Sequence, residues 1–388
     1  MIGRLPLSYA VRNLRRRPIQ ALLTVAGVAV VVFGAVLMTA LSRGISLRLA
    51  ASGDAANVLM ISRKGQSAMF SSIEPTEAVH LENLEGLARN AGNAPIISPE
   101  ILHVALVELT AAKRQAPLQM RGVQPMAWEA HPQARLSAGH LPEKPFEVVV
   151  GAQVHVRFGL PPEALALGAV LHFENRDWTV VGQQTAGGSL LESELWIAES
   201  DLMTVMRRRT HSLVVVRFTS PTAATTGLAQ FNTTGPIERF FKGWRETDYY
   251  RDSLKSLAWI FWISRSMLIA VLIAGTMIGI NTMHTAITRR QREFGTQRVL
   301  GFTRFDIAAS VLVESVALCL LGGLVGVGIG YGLTGMPIVI GQGAFLLTVD
   351  TPVIATGLIL AAVIGIIGAL VPLVRVLRLP LVDALAKR

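Results

Sequence analysis

The sequence predicts an α-helical membrane protein with four transmembrane helices and a mixed α/β extracytoplasmic domain inserted between helices 1 and 2. Three observations carry that expectation. Four long apolar runs interrupt a chain of 388 residues that is 51% apolar and only 16% charged, a combination that soluble domains rarely show. Between the first two runs, residues 44–256 have the composition of an ordinary folded domain, long enough to bury a core of their own. The charges are also unevenly shared: the chain carries 36 Lys and Arg against 26 Asp and Glu, whereas Gly44–Lys255 carries 20 against 21. The basic excess thus lies at the chain ends and around Arg289, which is positive-inside patterning rather than a nucleic-acid-binding face. Nucleic acid is not an expected partner.

Residues 18–43 form the first span. The run follows Arg12, Arg15, Arg16 and Arg17. It exceeds the roughly 7–15-residue core of a cleavable signal peptide and is long enough for about 30 Å of hydrocarbon, so it reads as retained. Residues 257–283 are the second span, with Trp259 and Trp262 as aromatics near its outer interface. A loop at 284–306, a third span at 307–333, a short outer loop at 334–350, a fourth span at 351–374 and a tail at 375–388 complete the chain. The N-terminus, the 284–306 loop and the tail are rich in Lys and Arg, and the 334–350 loop has none. One topology satisfies all four: both termini in the cytoplasm and residues 44–256 outside.

Within the inserted segment, Asn57–Ser62, Val104–Leu109, Phe146–Gly151, Val170–Gln183 and Ser212–Phe218 have the branched, alternating character of strands. Val170–Gln183 reads as a hairpin turning at Glu174–Asp177. Glu77–Asn90 has helical spacing through Val79, Leu81, Leu84 and Leu87. The eight His show no metal-ligand spacing, and no nucleophile motif or triad is present, so neither a metal site nor an enzyme is expected. The single cysteine, Cys319, lies in an apolar run and reads as a small buried hydrophobe.

The spans carry small residues at four-residue spacing: Gly275 and Gly279 in the second, Gly322, Gly326 and Gly330 in the third, and Gly357, Ala361, Gly365 and Ala369 in the fourth. Such stripes let helices approach closely in lipid; packing within one chain and between copies both fit. The run Gly326–Gly332 lacks the Lys-Ser/Thr of a phosphate loop. Two ionisable groups intrude on the spans. Arg265 lies near the outer end of the second. Glu314, inside the third, is either a functional intramembrane charge or the partner of an Arg from the preceding loop.

That loop contains RRQREFGTQRVLG, Arg289–Gly301, with Arg289, Arg290, Arg292, Glu293 and Arg298 charged and with Gly295 and Gly301 placed to bend or end a short helix. Positive-inside anchoring accounts for the Arg residues but not for Glu293 or the glycines. The segment resembles the loop of the MacB/FtsX-type permeases of ABC transporters, the mechanotransmission group, which reads R-x-E-I-G-x-x-R-A-x-G; the match runs through Glu293, Gly295, Arg298 and Gly301, with Phe294 standing for Ile and Val299 for Ala. The opening AVRNLRRRPIQALLTVAGVAV resembles the family's amphipathic helix and first span, giving a cytoplasmic helix at 1–17 with Leu7, Val11 and Leu14 on one face. Glu314 falls where the family often has Glu, and Pro372, Arg375, Arg378, Pro380, Ala384 and Leu385 match the family's closing motif. Residues 147–183 resemble its periplasmic core domain.

The resemblance implies that Arg289–Gly301 is a coupling helix docking in a groove of an ATPase subunit, Arg292, Glu293 and Arg298 making charged contacts and Phe294 and Leu300 supplying apolar anchors. No ATP-binding motif occurs in this sequence, so a separate ATPase polypeptide holding ATP and Mg is expected, with a second permease copy or paralogue completing a dimer. The expected function is a non-catalytic permease exporting or extracting a lipid, lipoprotein, peptide or small hydrophobic compound. A periplasmic adaptor and outer-membrane channel, or a periplasmic chaperone, would complete the route, with membrane lipids as further partners. If cargo enters laterally, Trp259, Trp262 and Arg265 mark the gate. The alternative is a signal transducer that activates a periplasmic cell-wall hydrolase without transport.

Overall fold

The computed structural model describes residues 18–65, 67–231, 240–256, 258–340 and 343–378. The expected N-terminal helix at 1–17 and the last residues of the tail, 379–388, lie outside the described residues. In chain order the elements are α1 (Pro18–Ser52), β1 (Asn57–Ser62), α2 (Pro75–Ala78), β2 (Ile97–Leu109), β3 (Arg114–Val123), α3 (Ala127–Ala130), β4 (Arg135–Gly139), β5 (Glu147–Gly151), α4 (Val154–Phe158), β6 (Val170–Phe173), β7 (Arg176–Thr185), β8 (Glu194–Ala198), α5 (Glu199–Met206), β9 (Leu213–Arg217), α6 (Pro221–Phe231), β10 (Phe241–Arg245), α7 (Glu246–Ser256), α8 (Ala258–Arg289), α9 (Gln291–Val299), α10 (Arg304–Gly332), β11 (Pro337–Ile340), β12 (Gly343–Leu346) and α11 (Thr351–Arg378). They fall into two units: residues 1–43, 259–335 and 347–388, and residues 44–258 with 336–346.

In the first unit, four helices, α1, α8, α10 and α11, are long and apolar enough to cross a membrane. Hydrocarbon gives apolar helices no hydrophobic reason to associate, so close contact and dispersion must hold them. The glycine stripe of α10 supplies that contact. A Cβ on Gly322 would lie 2.8 Å from the Val25 carbonyl oxygen, and one on Gly326 would lie 2.5 Å from that of Ala29. On Gly330 it would meet the Val36 side chain at 2.7 Å. The stripe is therefore the seat of α1 within the same chain. Gly275 faces Ile364 and Val31, and Gly279 lies against Gly368 of α11. Polar ties reinforce the bundle: Ser315 Oγ donates to the Gly365 carbonyl at 2.9 Å, and Arg43 pairs with Asp350 at 2.7 Å.

In the second unit, β2, β3, β8, β5, β7 and β6 follow one another in hydrogen-bonded pairs, and β6 also pairs with β2, closing the ring. Closure of these six strands removes the edges they would otherwise expose. Alternation along the strands sends Ile101, Leu118, Met120, Leu195 and Ile197 into one core with Phe173 and Trp178, whose rings stack at 4.6 Å. Burying each such large side chain contributes about 1.5–3 kcal/mol. β10, β1 and β9 extend the sheet beyond β2 and bury a second core against α6. The β6–β7 hairpin turns at Glu174–Asn175, both with positive φ (47° and 60°), as a tight two-residue hairpin loop requires.

Two sequence expectations change. The Glu77–Asn90 helix is not formed: α2 gives way to a 3-10 turn at Val79–Asn83, and Leu87 bridges to Phe218 as extended chain. Leu81 and Leu87 are both drawn into the second core while Val79 is exposed, and Gly86 takes φ +78°, so tertiary burial overrides the helical spacing. The 334–350 loop instead holds the β11–β12 hairpin, which belongs to the second unit. There Ser193 Oγ donates to the Ala344 carbonyl and accepts from its N–H, both at 3.1 Å, and Arg48 lies over the buried Phe345 ring.

Gly326→Ala should destabilise the detergent-solubilised chain by about 1–3 kcal/mol through overpacking. Gly328→Ala, whose Cβ meets nothing within 4 Å, should leave the thermal midpoint nearly unchanged.

Candidate coupling site between the second and third spanning helices

α8 ends at Arg289 and α9 starts at Gln291, so Arg290 sits at the corner, where its side chain turns inward and is buried. Its Nε donates to Glu293 at 3.0 Å and its Nη1 to Glu314 of α10 at 2.8 Å. The guanidinium lies 5.2 Å from the centroid of the Phe294 ring. One Arg thus joins the corner, α9 and a spanning helix, and Glu314 is answered by an Arg of the preceding loop.

The far end of α9 is equally fixed. Gly301, with φ +97°, receives the chain in the left-handed conformation. The Phe302 N–H donates to the Gln297 carbonyl at 3.1 Å and the Gly301 N–H to the Arg298 carbonyl at 3.2 Å, the paired bonds of a Schellman motif. Thr303 then caps α10 by exchanging hydrogen bonds with Asp306. Arg304 donates to the Leu377 carbonyl near the end of α11 at 3.0 Å. Gly295 does not bend α9, which runs unbroken through it.

The expected apolar anchors separate. Phe294 is 4% exposed and packs with Met283, Ile287, Ile307, Val311 and Leu373. This corrects its expected role: it cannot be a docking anchor, because Arg290 and the helix bases already cover it. Leu300 is 73% exposed, and so are Val299 (65%) and Phe305 (77%), two apolar residues not among the expected anchors. Glu293 is exposed and Arg298 half-exposed. The side chains of Arg289 and Arg292 lie outside the described residues. Far along α8, Trp259, Trp262 and Arg265 are exposed on the helix surface.

The comparisons with known proteins follow this geometry. Residues 21–233, more than half the chain, match the MacB-like periplasmic core domain, and residues 265–381 match the FtsX-like permease C-terminal domain. The chain belongs to the MacB/FtsX permease family. An uncharacterized ABC transporter permease, YknZ of Bacillus subtilis, is 37% identical over 118 residues, 30% of this chain and 29% of its own. The macrolide export ATP-binding/permease protein MacB of a Shewanella strain is 31% identical over 152 residues, 39% of this chain and 23% of its own. This chain therefore spans under a third of the length of these relatives. The periplasmic region of MacB from Actinobacillus actinomycetemcomitans aligns with a TM-score of 0.38 at 12% identity, covering 54% of this chain and 97% of its own.

The MacB-like domain also holds a charged cluster that no sequence signal marked. On the sheet face opposite the barrel core, Arg121 of β3 lies between Glu100 of β2 and Glu194 of β8, all buried. It bonds Glu100 through Nη1, and Glu194 through Nε at 2.6 Å and Nη2 at 2.9 Å. His131 Nε2 meets Glu100 at 2.8 Å. Burial pushes the Glu100 carboxyl up, but His131 and Arg121 outweigh it and hold the group at about 2. Burial likewise opposes the charge on His131, and Glu100 overcomes it, raising the imidazole above its ordinary value. Strand alternation would have placed 119 and 121 on one face, but only cross-strand pairing brings Glu100 and Glu194 to Arg121.

Arg290→Ala and Glu314→Gln should each destabilise the chain by roughly 2–4 kcal/mol, because each leaves a buried partner unmatched. The double variant should cost less than the sum, read as a double-mutant cycle in thermal unfolding. In the inserted domain, stability contributed by Glu100 is present above the ordinary carboxylate value near 4.3 and is lost as pH falls toward 2. The His131 contribution is present below about 6.5 and is lost as pH rises through its elevated folded value. Unfolding scans against pH should show both limbs, and Glu100→Gln should remove the acid one.

Proposed function

We propose that this chain is the membrane-spanning subunit of an ATP-driven ABC transporter, exporting or extracting a lipid, lipoprotein, peptide or small hydrophobic compound. A separate ATPase, holding ATP and Mg, docks on α9 and the turn that follows it, on the cytoplasmic side where the basic loop belongs. The observation that carries the reading is mechanical. α9 is tied to α10 through Arg290–Glu314 and the Gly301–Thr303 turn, and α10 is tied to α11 through Arg304. A push on α9 is therefore passed to two spanning helices instead of being absorbed by a soft loop.

The exposed Val299, Leu300 and Phe305 beside Arg298 give the ATPase an apolar knob rimmed by charge, the composition of an interface hot spot. Two copies of the chain with two ATPase subunits would complete the machine, with a periplasmic adaptor and outer-membrane channel or a chaperone receiving cargo. The relatives named for macrolide export support a hydrophobic cargo, and the small-residue stripes support helices that move as packed bodies.

The test uses the tagged chain in lipid nanodiscs with the ATPase that co-purifies with it. Arg298→Glu combined with Leu300→Glu should weaken ATPase association at least about tenfold, as loss of a central anchor does, while thermal stability stays within about 0.5 kcal/mol because both positions are at the surface. Undiminished association, or recovery of no ATPase with the wild-type chain, would overturn the reading.

A further inference from the structure

β1, β9 and β2 lie side by side in the sheet of the MacB-like domain, and their Leu59, Leu213 and Leu102 line one cavity of about 260 Å³. α7 packs against β1, and a 3-10 turn at Ala68–Phe70 packs against β2. These two segments add Ala68, Met69, Tyr249 and Tyr250 to the lining, with the exposed Phe70 at the rim. An engineered apolar cavity of roughly 150 Å³ is enough to take up benzene, so this one has room for a ring and its substituents. Left empty, such a space forfeits dispersion contacts along its whole lining, and a molecule that fills it recovers them.

The charged groups on and behind the wall are already matched. Glu194 Oε1 accepts from Gln119 Nε2 at 2.6 Å and from Arg121 Nη2 at 2.9 Å, and its Oε2 accepts from Arg121 Nε at 2.6 Å. Arg121 also pairs with Glu100. Glu246 has no exposed surface and faces His131. An ammonium or a carboxylate entering the cavity would lose its hydration without finding a free counter-charge.

The Tyr250 hydroxyl differs from these groups. The hydroxyl of its neighbour Tyr249 accepts from the Ala68 N–H at 3.3 Å, whereas that of Tyr250 makes no hydrogen bond with any described residue. Tyr250 is half-buried. Burial outweighs the nearby Arg121 and lifts its hydroxyl far above the ordinary value. The group therefore keeps its proton and is a donor without an acceptor.

We propose that this cavity is a binding site for a small uncharged apolar molecule bearing a hydrogen-bond acceptor, such as a carbonyl oxygen, which the Tyr250 hydroxyl meets. The apolar body lies against Leu59, Leu102 and Leu213. Mostly apolar walls with a few placed polar groups are the ordinary make-up of a small-molecule site. The walls select for shape, and Tyr250 selects for the acceptor. The proposal goes beyond the permease reading and does not depend on an ATPase.

The test measures binding of acetophenone to the full chain in nanodiscs, by calorimetry and ligand-observed NMR against empty nanodiscs. Its comparators are α-methylstyrene, in which a CH₂ group replaces the carbonyl oxygen, benzoate and benzylamine. Acetophenone should saturate one site per chain about three- to tenfold more tightly than α-methylstyrene, the scale of one hydrogen bond. Benzoate and benzylamine should show no saturable binding. Tyr250→Phe should erase the advantage of the ketone and leave the affinity for α-methylstyrene unchanged. Met69→Trp, which puts a larger side chain into the cavity and leaves Tyr250 in place, should abolish binding of both; it decides the matter if Tyr250→Phe does not fold. Four results would each overturn the proposal: no saturable binding of acetophenone, an advantage of the ketone that survives in Tyr250→Phe, binding unchanged in Met69→Trp, or a charged comparator that binds as tightly as the ketone.

Discussion

Charge withdrawn from water must be paired, and that constraint shapes both units of this chain. A lone buried ion is far costlier than any single packing contact can offset. In the first unit the rule is met by Arg290, which reaches Glu293 and Glu314 and stacks on Phe294. In the second it is met by Arg121, clamped between carboxylates from the strands on either side. Each Arg sits where several elements meet, so each fixes a geometry that hydrophobic contact alone would leave adjustable.

Around the first hub the short helix α9 becomes a rigid part rather than a loop. Its start is fixed by Arg290, its inward face by Phe294, and its end by Gly301 and Thr303. What remains exposed is a compact apolar and charged tip. The division of labour within the motif follows from helix geometry: Phe294 and Gln297 face inward and are buried, while Glu293, Thr296 and Val299 face out. A motif read only as a string treats all of these positions alike.

The spanning helices pack by a different rule, since lipid gives apolar side chains no reason to leave it. Gly322 and Gly326 let α10 touch the backbone of α1, and Gly279 and Gly368 let α8 touch α11. The inserted domain, folded in water, relies instead on the large side chains of its closed ring of strands, such as Trp178 and Phe173. The cavity near Arg121 is a place where that packing is incomplete.

Length and hydropathy were enough to place four spanning helices, because a run of about 20 apolar residues has few other uses. Alternation marked β1, β5, β6, β7 and β9, and the Glu293–Gly295 and Arg298–Gly301 pattern marked the segment Arg289–Gly301. The glycine stripes announced close packing, yet only the fold showed that Gly322, Gly326 and Gly330 meet α1 of the same chain. Only the fold turned Phe294 inward and left Leu300 and Phe305 out, joined Glu314 to Arg290, dissolved the apparent helix at Glu77–Asn90, and assembled Glu100, Arg121 and Glu194 from three strands. The division has a physical basis. Periodicity is written in neighbouring residues and survives without the fold, whereas the partner of a charge is chosen by which distant elements come together, and no local pattern records that.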